Sequence, residues 1–175
     1  SAVFLNRQVD AYLLDNLNDS KKLSKKKRET LYQLLLSEAE KGNMLIGIGE
    51  SSAQEIDEIN ILNASFLAMK RALDKACAFL PDMVLVDGNR EPKNFGCAVR
   101  AVVKGDAKSY SVSAASVLAK VYRDKLLEEM AKKYPGYGFE KNAGYGTKAH
   151  IEGLKKYGVT PEHRRSYAPI KEFLK

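Results

Sequence analysis

An α/β fold, with helices layered on a sheet, is what this sequence predicts. Segments of helical periodicity alternate with short apolar runs, the pattern of strands separated by helices. Two of those runs lead within three residues to an aspartate beside a glycine, which places polar chemistry at strand ends. No repeat, low-complexity tract or linker interrupts the pattern, so the chain reads as one unit.

The elements follow in order. Ala2–Leu5 is a short apolar strand that begins almost at the terminus. Leu17–Leu23 (LNDSKKL) has the polar composition of a loop. Ser24 caps a helix from about Lys25 to Lys41, with Leu31, Leu34 and Leu35 as its apolar stripe and Gly42 as its stop. Met44–Ile48 reads as a strand. Ser52 and Glu55 stand at capping-box spacing, and a helical run covers roughly Ile61–Leu80, closed by Pro81. Its Ile61, Leu62, Phe66, Met69, Leu73, Cys77 and Leu80 recur at helical spacing and are expected in the core. Met83–Val86 and Ala98–Val103 are buried-looking strands. A helix over about Ser113–Lys133, a surface loop from Tyr134 to Gly146 and a short helix over Lys148–Lys156 complete the chain.

The 175 residues, 45% hydrophobic, are enough for a core, and apolar residues are spread along the whole chain. No apolar run approaches the ~20 residues of a bilayer-spanning helix, and no secretory pattern opens the sequence. Cys77 and Cys97 form no close pair, so both are expected to be buried, reduced and inert, and the protein cytoplasmic. Twenty-nine basic against 22 acidic residues, a net +7, favour a polyanionic partner such as nucleic acid.

Three constellations carry chemistry. Asp87 and Asp106 each follow an apolar strand, and ligands of open α/β sheets bind beyond the carboxyl ends of strands. If the strands are neighbours the carboxylates converge, and a hard cation, magnesium or manganese, suits such a pair. The alternative, open on spacing alone, is that each aspartate belongs to an ordinary aspartate–glycine turn. The second is the Asp19-Ser20-Lys21-Lys22 loop, whose amides, hydroxyl and lysines make a phosphate seat; the following Lys25–Arg28 reads as a solvated charge run. The third gathers Tyr134, Tyr137, Phe139 and Tyr145 among lysines, rings fit to stack on a sugar or base, although most such tyrosines pin a loop to the core. His150 and His163 have no ligand-like spacing.

The strings LNDSKKLS (17–24), EIDEINILNAS (55–65), VLVDGN (84–89), VVKGD (102–106), SAASVLAKVYRD (113–124), YPGYGFEKNAGYGT (134–147) and HRRSY (163–167) resemble, in order and spacing, bacterial ribonuclease HII. The resemblance implies a ribonuclease H-like mixed sheet flanked by helices, with a small helical C-terminal extension over about 134–175. It implies cleavage of the RNA strand of RNA–DNA hybrids, and of duplex DNA 5′ to a single embedded ribonucleotide, leaving 3′-hydroxyl and 5′-phosphate ends. It also implies a monomer and four acidic residues holding two magnesium or manganese ions. Asp87 and Asp106 match the third and fourth of these. Tyr145 matches the tyrosine that packs on the deoxyribose after the ribonucleotide, and Ser20, Lys21 and Lys22 fall in the loop near the substrate backbone. Asp124 lies in a matching segment and is read as helix structure.

The sequence departs from the family at one end. The Asp-Glu-Ala-Gly-Arg-Gly segment, which supplies the first two acidic residues and the reader of the 2′-hydroxyl, is absent, and the chain begins where the family's second strand is ending. The functional polypeptide is therefore expected to carry about 20–30 further residues, the usual length of two strands and a turn. Without them the chain holds half of the acidic set and is expected to be nearly inactive; the other reading is a non-catalytic nucleic-acid binder. A smaller departure is Asn142-Ala143, where many relatives have a basic residue.

Overall fold

The computed structural model describes residues 1–6, 8–142 and 144–174, and its contacts divide into two compact units. One comprises Ser1–Glu50 and Phe66–Val121, the other Ser51–Ser65 and Tyr122–Lys175. Of the residues singled out above, Ala143 lies outside the described residues.

In the first unit, β1 (Ala2–Leu5) runs antiparallel to β2 (Met44–Gly47), Ala2 opposite Gly47 and Leu5 opposite Met44. Between them lie α1 (Ala11–Asn16) and α2 (Lys25–Glu40). Ser24 caps α2 by accepting from Lys27 N at 3.2 Å, and Gly42, at φ 77°, turns the chain after it. Leu31 and Leu35 are fully buried with Leu13, Met44, Val117 and Leu118. β2 ends on a glycine because it lies against the C-terminal part of α3 (Ala53–Ala76): a Cβ on Gly47 would sit 2.0 Å from the Ala72 carbonyl oxygen. β3 (Met83–Asp87) and β4 (Ala98–Val102) are parallel, Asp87 opposite Val102, and lead through a 3-10 turn at Gly105–Ala107 into α4 (Tyr110–Lys133). The strands thus form one antiparallel and one parallel pair, a mixed α/β arrangement.

Several expectations are corrected. α3 starts at Ala53 and is broken at Asn60, whose φ is 67° and whose Oδ1 accepts from Leu62 N and Asn63 N. The helical phase restarts there, so Ile61 is exposed, and Leu80 lies past the helix end and is exposed too. The six-residue α1, too short to show a period, is announced only by its cap, Asp10 Oδ1 accepting from Leu13 N at 3.0 Å. β3 is not buried on both faces. Met83 and Leu85 are 52% and 40% exposed, and with Phe4 of β1 they line an apolar cleft of about 480 Å³ within this unit. β1 and β3 border that cleft, and among the described residues each is paired on one edge only, β1 with β2 and β3 with β4.

The second unit is held by Leu127, Tyr137, Phe139, Leu154 and Ile170. The segment expected to be a surface loop instead carries two core rings, Tyr137 and Phe139, stacked at 5.6 Å, and the short α5 (Phe139–Asn142). α6 (Lys148–Tyr157) is capped by Thr147 and stopped by Gly158. Asp57, from the 55–65 string, accepts from the amides of Arg165 and Ser166 and from the Ser166 hydroxyl, tying down the HRRSY segment. Burial works to raise its pKa, and those donors with Arg164 outweigh it, leaving the carboxyl below its usual range.

His150 and His163 are both buried there, ring centroids 5.1 Å apart. Thr160 N donates to His163 Nδ1 at 3.0 Å, while Nε2 has no hydrogen-bond partner among the described residues. Burial, then the neighbouring His150, pushes the His163 pKa down, against weaker opposing effects from Thr160 and Glu162. Because the folded pKa lies below the unfolded value, the stability this neutral ring contributes is present above about pH 6.5 and is lost as pH falls through the folded value. The urea midpoint, followed by far-UV circular dichroism, should therefore fall between pH 7.5 and 5.5. In His163→Asn, where Oδ1 can replace Nδ1 as acceptor, that slope should shrink; an unchanged slope would assign it to other groups.

Candidate active site

The parallel pairing of β3 and β4 brings their carboxyl ends together. Gly88 N donates to Val102 O at 3.1 Å just past the last register pair. Lys104 turns the chain back in a left-handed conformation, φ 55°, and Gly105 N then donates to Asp87 Oδ1 at 2.8 Å. Gly105 is buried and closely approached: a Cβ would meet Val112 Cγ1 at 3.2 Å and Asp87 Oδ1 at 3.4 Å. Asp106 comes next, so the structure places Asp87 and Asp106 on one corner, at the carboxyl ends of adjacent parallel strands.

The electrostatics agree with that placement. Burial raises the Asp106 pKa, and the charges of Asp87 and Asp19 raise it further, against the Ala107 amide and Lys21. The DSKK loop adjoins this corner through α4, where Ser113 Oγ donates to Asn18 O at 3.0 Å and the preceding Val112 lies against Gly105. Asp19 also shapes its own loop: Oδ1 accepts from Lys21 N, and its carbonyl from Lys22 N, both at 2.9 Å. Lys21 and Lys22 are exposed. Ser20, expected to turn its hydroxyl outward, is instead buried, at 6% exposure. Arg28 is not simply part of a solvated run either. It is half-buried, and its Nη1 donates to the carbonyls of Ser20, at 2.9 Å, and Leu23.

Tyr145 belongs to the other unit and is 76% exposed. It is presented by a turn built on buried Asn142, whose Oδ1 accepts from Gly144 N at 2.8 Å and whose carbonyl accepts from Tyr145 N at 2.8 Å. Asn142 Nδ2 reaches back to Tyr137 O at 3.1 Å, anchoring the turn to the buried rings. Among the described residues, no group of three or more His, Cys, Asp or Glu could hold a metal ion.

A family model described as ribonuclease HII matches residues 1–170. The chain belongs to the ribonuclease HII family. Its similarity to ribonuclease HII of Paramagnetospirillum magneticum is 50% identity over 93% of this chain and 77% of that one. With ribonuclease HII of Neisseria meningitidis serogroup B it is 47% over 99% and 86%, and with that of Enterococcus faecalis 51% over 94% and 62%. The fold is similar to the crystal structure of ribonuclease H2 from Pyrococcus horikoshii, with a TM-score of 0.66, 27% identity, and coverage of 97% of this chain and 85% of that one. The arrangement is accordingly ribonuclease H-like, with the carboxylate corner at the strand ends of a ribonuclease family's sheet. No helix among the described residues is long and apolar enough to cross a membrane.

Proposed function

We propose that this member of the ribonuclease HII family hydrolyses the RNA strand of RNA–DNA hybrids and nicks duplex DNA on the 5′ side of a single embedded ribonucleotide, leaving 3′-hydroxyl and 5′-phosphate ends. The observation that carries the proposal is the convergence of Asp87 and Asp106 at adjoining strand ends, in a chain of this family. It acts in the cytoplasm as a monomer, with nucleic acid and no membrane as its partner.

Asp87 and Asp106 would hold magnesium or manganese. Both are hard oxygen donors, and the raised Asp106 pKa marks an anionic corner that a cation would relieve. When bound, two such ions lower the pKa of a water and stabilise the departing 3′ oxygen. The protein's own tasks are holding and orientation. Gly105 N fixes the Asp87 carboxylate, Lys21 and Lys22 seat substrate phosphate, and Tyr145 packs its ring on a sugar. Two carboxylates are half of the set this chemistry uses. We propose that the other two, with the 2′-hydroxyl reader, arrive on a further strand in the cleft that β1 and β3 border; those open edges and the apolar lining support it.

A second reading, a nucleic-acid binder without catalysis, is favoured by the lack of a third metal-ligating group among the described residues. A duplex with one ribonucleotide, incubated with and without Mg²⁺ or Mn²⁺, separates the two. The nuclease gives a single metal-dependent nick; a binder gives a salt-sensitive retarded complex that is never cut. For Tyr145, stacking predicts that Tyr145→Phe keeps activity within about twofold while Tyr145→Ala loses about tenfold. Equal activity of the alanine variant would remove Tyr145 from the site.

A further inference from the structure

The DSKK loop is pinned from two directions, by half-buried Arg28 and by buried Ser113. From α2, Arg28 Nη1 donates to both Ser20 O and Leu23 O, drawing two points of the loop onto one nitrogen. From α4, Ser113, 2% exposed, donates its hydroxyl to Asn18 O at 3.0 Å. Within the loop, Asp19 accepts from Lys21 N and Lys22 N. The carbonyls of Asn18, Ser20 and Leu23 are thus all drawn inward, and the side chains of Lys21 and Lys22 are left outward. Ser113 directly follows Val112, which lies against Gly105, so the loop's anchor adjoins the carboxylate corner.

We propose that Arg28 and Ser113 are positioning residues for nucleic-acid binding: together they hold the Asn18–Leu23 loop so that the Lys21 ammonium meets a substrate phosphate beside the carboxylate corner. This rests on the reading of the loop as a phosphate contact. A free loop of this composition would spread Lys21 over many orientations, and each contact with phosphate would then cost the entropy of ordering it. A guanidinium bridging two carbonyls removes that cost in advance. Lysine cannot copy it, because both bonds come from Nη1 and the lysine ammonium ends one atom short of that position on a flexible stem. The geometry also separates Arg28 from Lys27 in the same run, whose Nζ donates instead to Asn16 Oδ1 at 2.7 Å.

The test is binding, read by fluorescence anisotropy with a duplex carrying one ribonucleotide, over a series of salt concentrations and without divalent metal. Lys21→Ala should weaken binding about tenfold and lower the magnitude of the salt slope by about one, as for one lost phosphate contact. Arg28→Lys should do nearly the same although the net charge is unchanged, and Arg28→Lys with Lys21→Ala should be no weaker than Lys21→Ala alone. Ser113→Ala, a smaller change, should move both readouts the same way by about threefold and serves if the arginine variant does not fold. Lys25→Ala should leave affinity within about twofold. Wild-type affinity and slope in both Arg28→Lys and Ser113→Ala, or full additivity with Lys21→Ala, would overturn the proposal. If Lys21→Ala itself changes neither readout, the reading of the loop as a phosphate contact falls, and this inference with it.

Discussion

Asp87→Asn is expected to cut ribonucleotide-directed nicking by about 10³-fold, roughly 4 kcal/mol of transition-state stabilisation, with substrate binding unchanged within about twofold. The asymmetry has a structural reason. Asparagine keeps an Oδ1 that can accept from Gly105 N, so the turn survives, while the anionic oxygen that would hold a divalent ion is lost. Asp106→Asn should abolish nicking to the same extent but act differently on stability. Burial and the charges of Asp87 and Asp19 raise the Asp106 pKa, so its ionised form is disfavoured in the fold. A carboxyl with a raised folded pKa costs stability above its unfolded value, and regains it as pH falls through the folded one. Removing the charge at pH 7 without divalent metal should therefore raise the melting temperature, the usual exchange of stability against function at a strained site. Paired measurements of nicking and melting decide it: an Asp106→Asn protein that keeps nicking would take this corner out of catalysis.

Local signals were legible in the sequence where one residue type answers one backbone need. Ser24 and Gly42 mark the ends of α2, and Ser52 with Glu55 forms the reciprocal capping box, Glu55 N on Ser52 Oγ and Ser52 N on Glu55 Oε2. The two apolar runs ending in aspartate predicted where carboxylates would emerge, though not whether they would meet. That needed the parallel register of β3 and β4, a long-range pairing no local pattern encodes. Arg28 shows the opposite failure: in a row of four cations, nothing in the spacing singles out the one whose guanidinium folds back on carbonyls. Asn60 resets the phase of a helix whose apolar period looks continuous, which is why Ile61 was misplaced. Tyr137 and Phe139 stack and pin their segment to the core, as expected of most of its rings, but glycines and lysines around them hid the short α5. Cys77 and Cys97 are both free, and they are half-buried where burial was expected.

Adding a strand to the cleft that β1 and β3 border is expected to have the other large effect. Phe4, Met83 and Leu85 are each about half-exposed along that cleft, at 45%, 52% and 40%. Covering them would remove about half of three large apolar side chains from water, worth about 3 kcal/mol. For a chain of this size that corresponds to about 6–12 °C in melting temperature. A strand is the fitting occupant because the demand is also polar: the unpaired amides and carbonyls of two edges need main-chain partners, and open edges left without them associate with other chains. The 175-residue chain alone should therefore self-associate as its concentration rises, and should nick a ribonucleotide-bearing duplex only marginally. A version extended at its N-terminus by about 25 residues, two strands and a turn carrying Asp-Glu-Ala-Gly-Arg-Gly, should melt higher, run as a monomer in sedimentation and nick at least 10²-fold faster with Mg²⁺ or Mn²⁺. Hydrogen exchange supplies the structural half of the test, since amides of both β1 and β3 should become protected together. An extension that raises activity without protecting them would place the acidic residues elsewhere, and one that changes neither would leave the cleft to a different occupant.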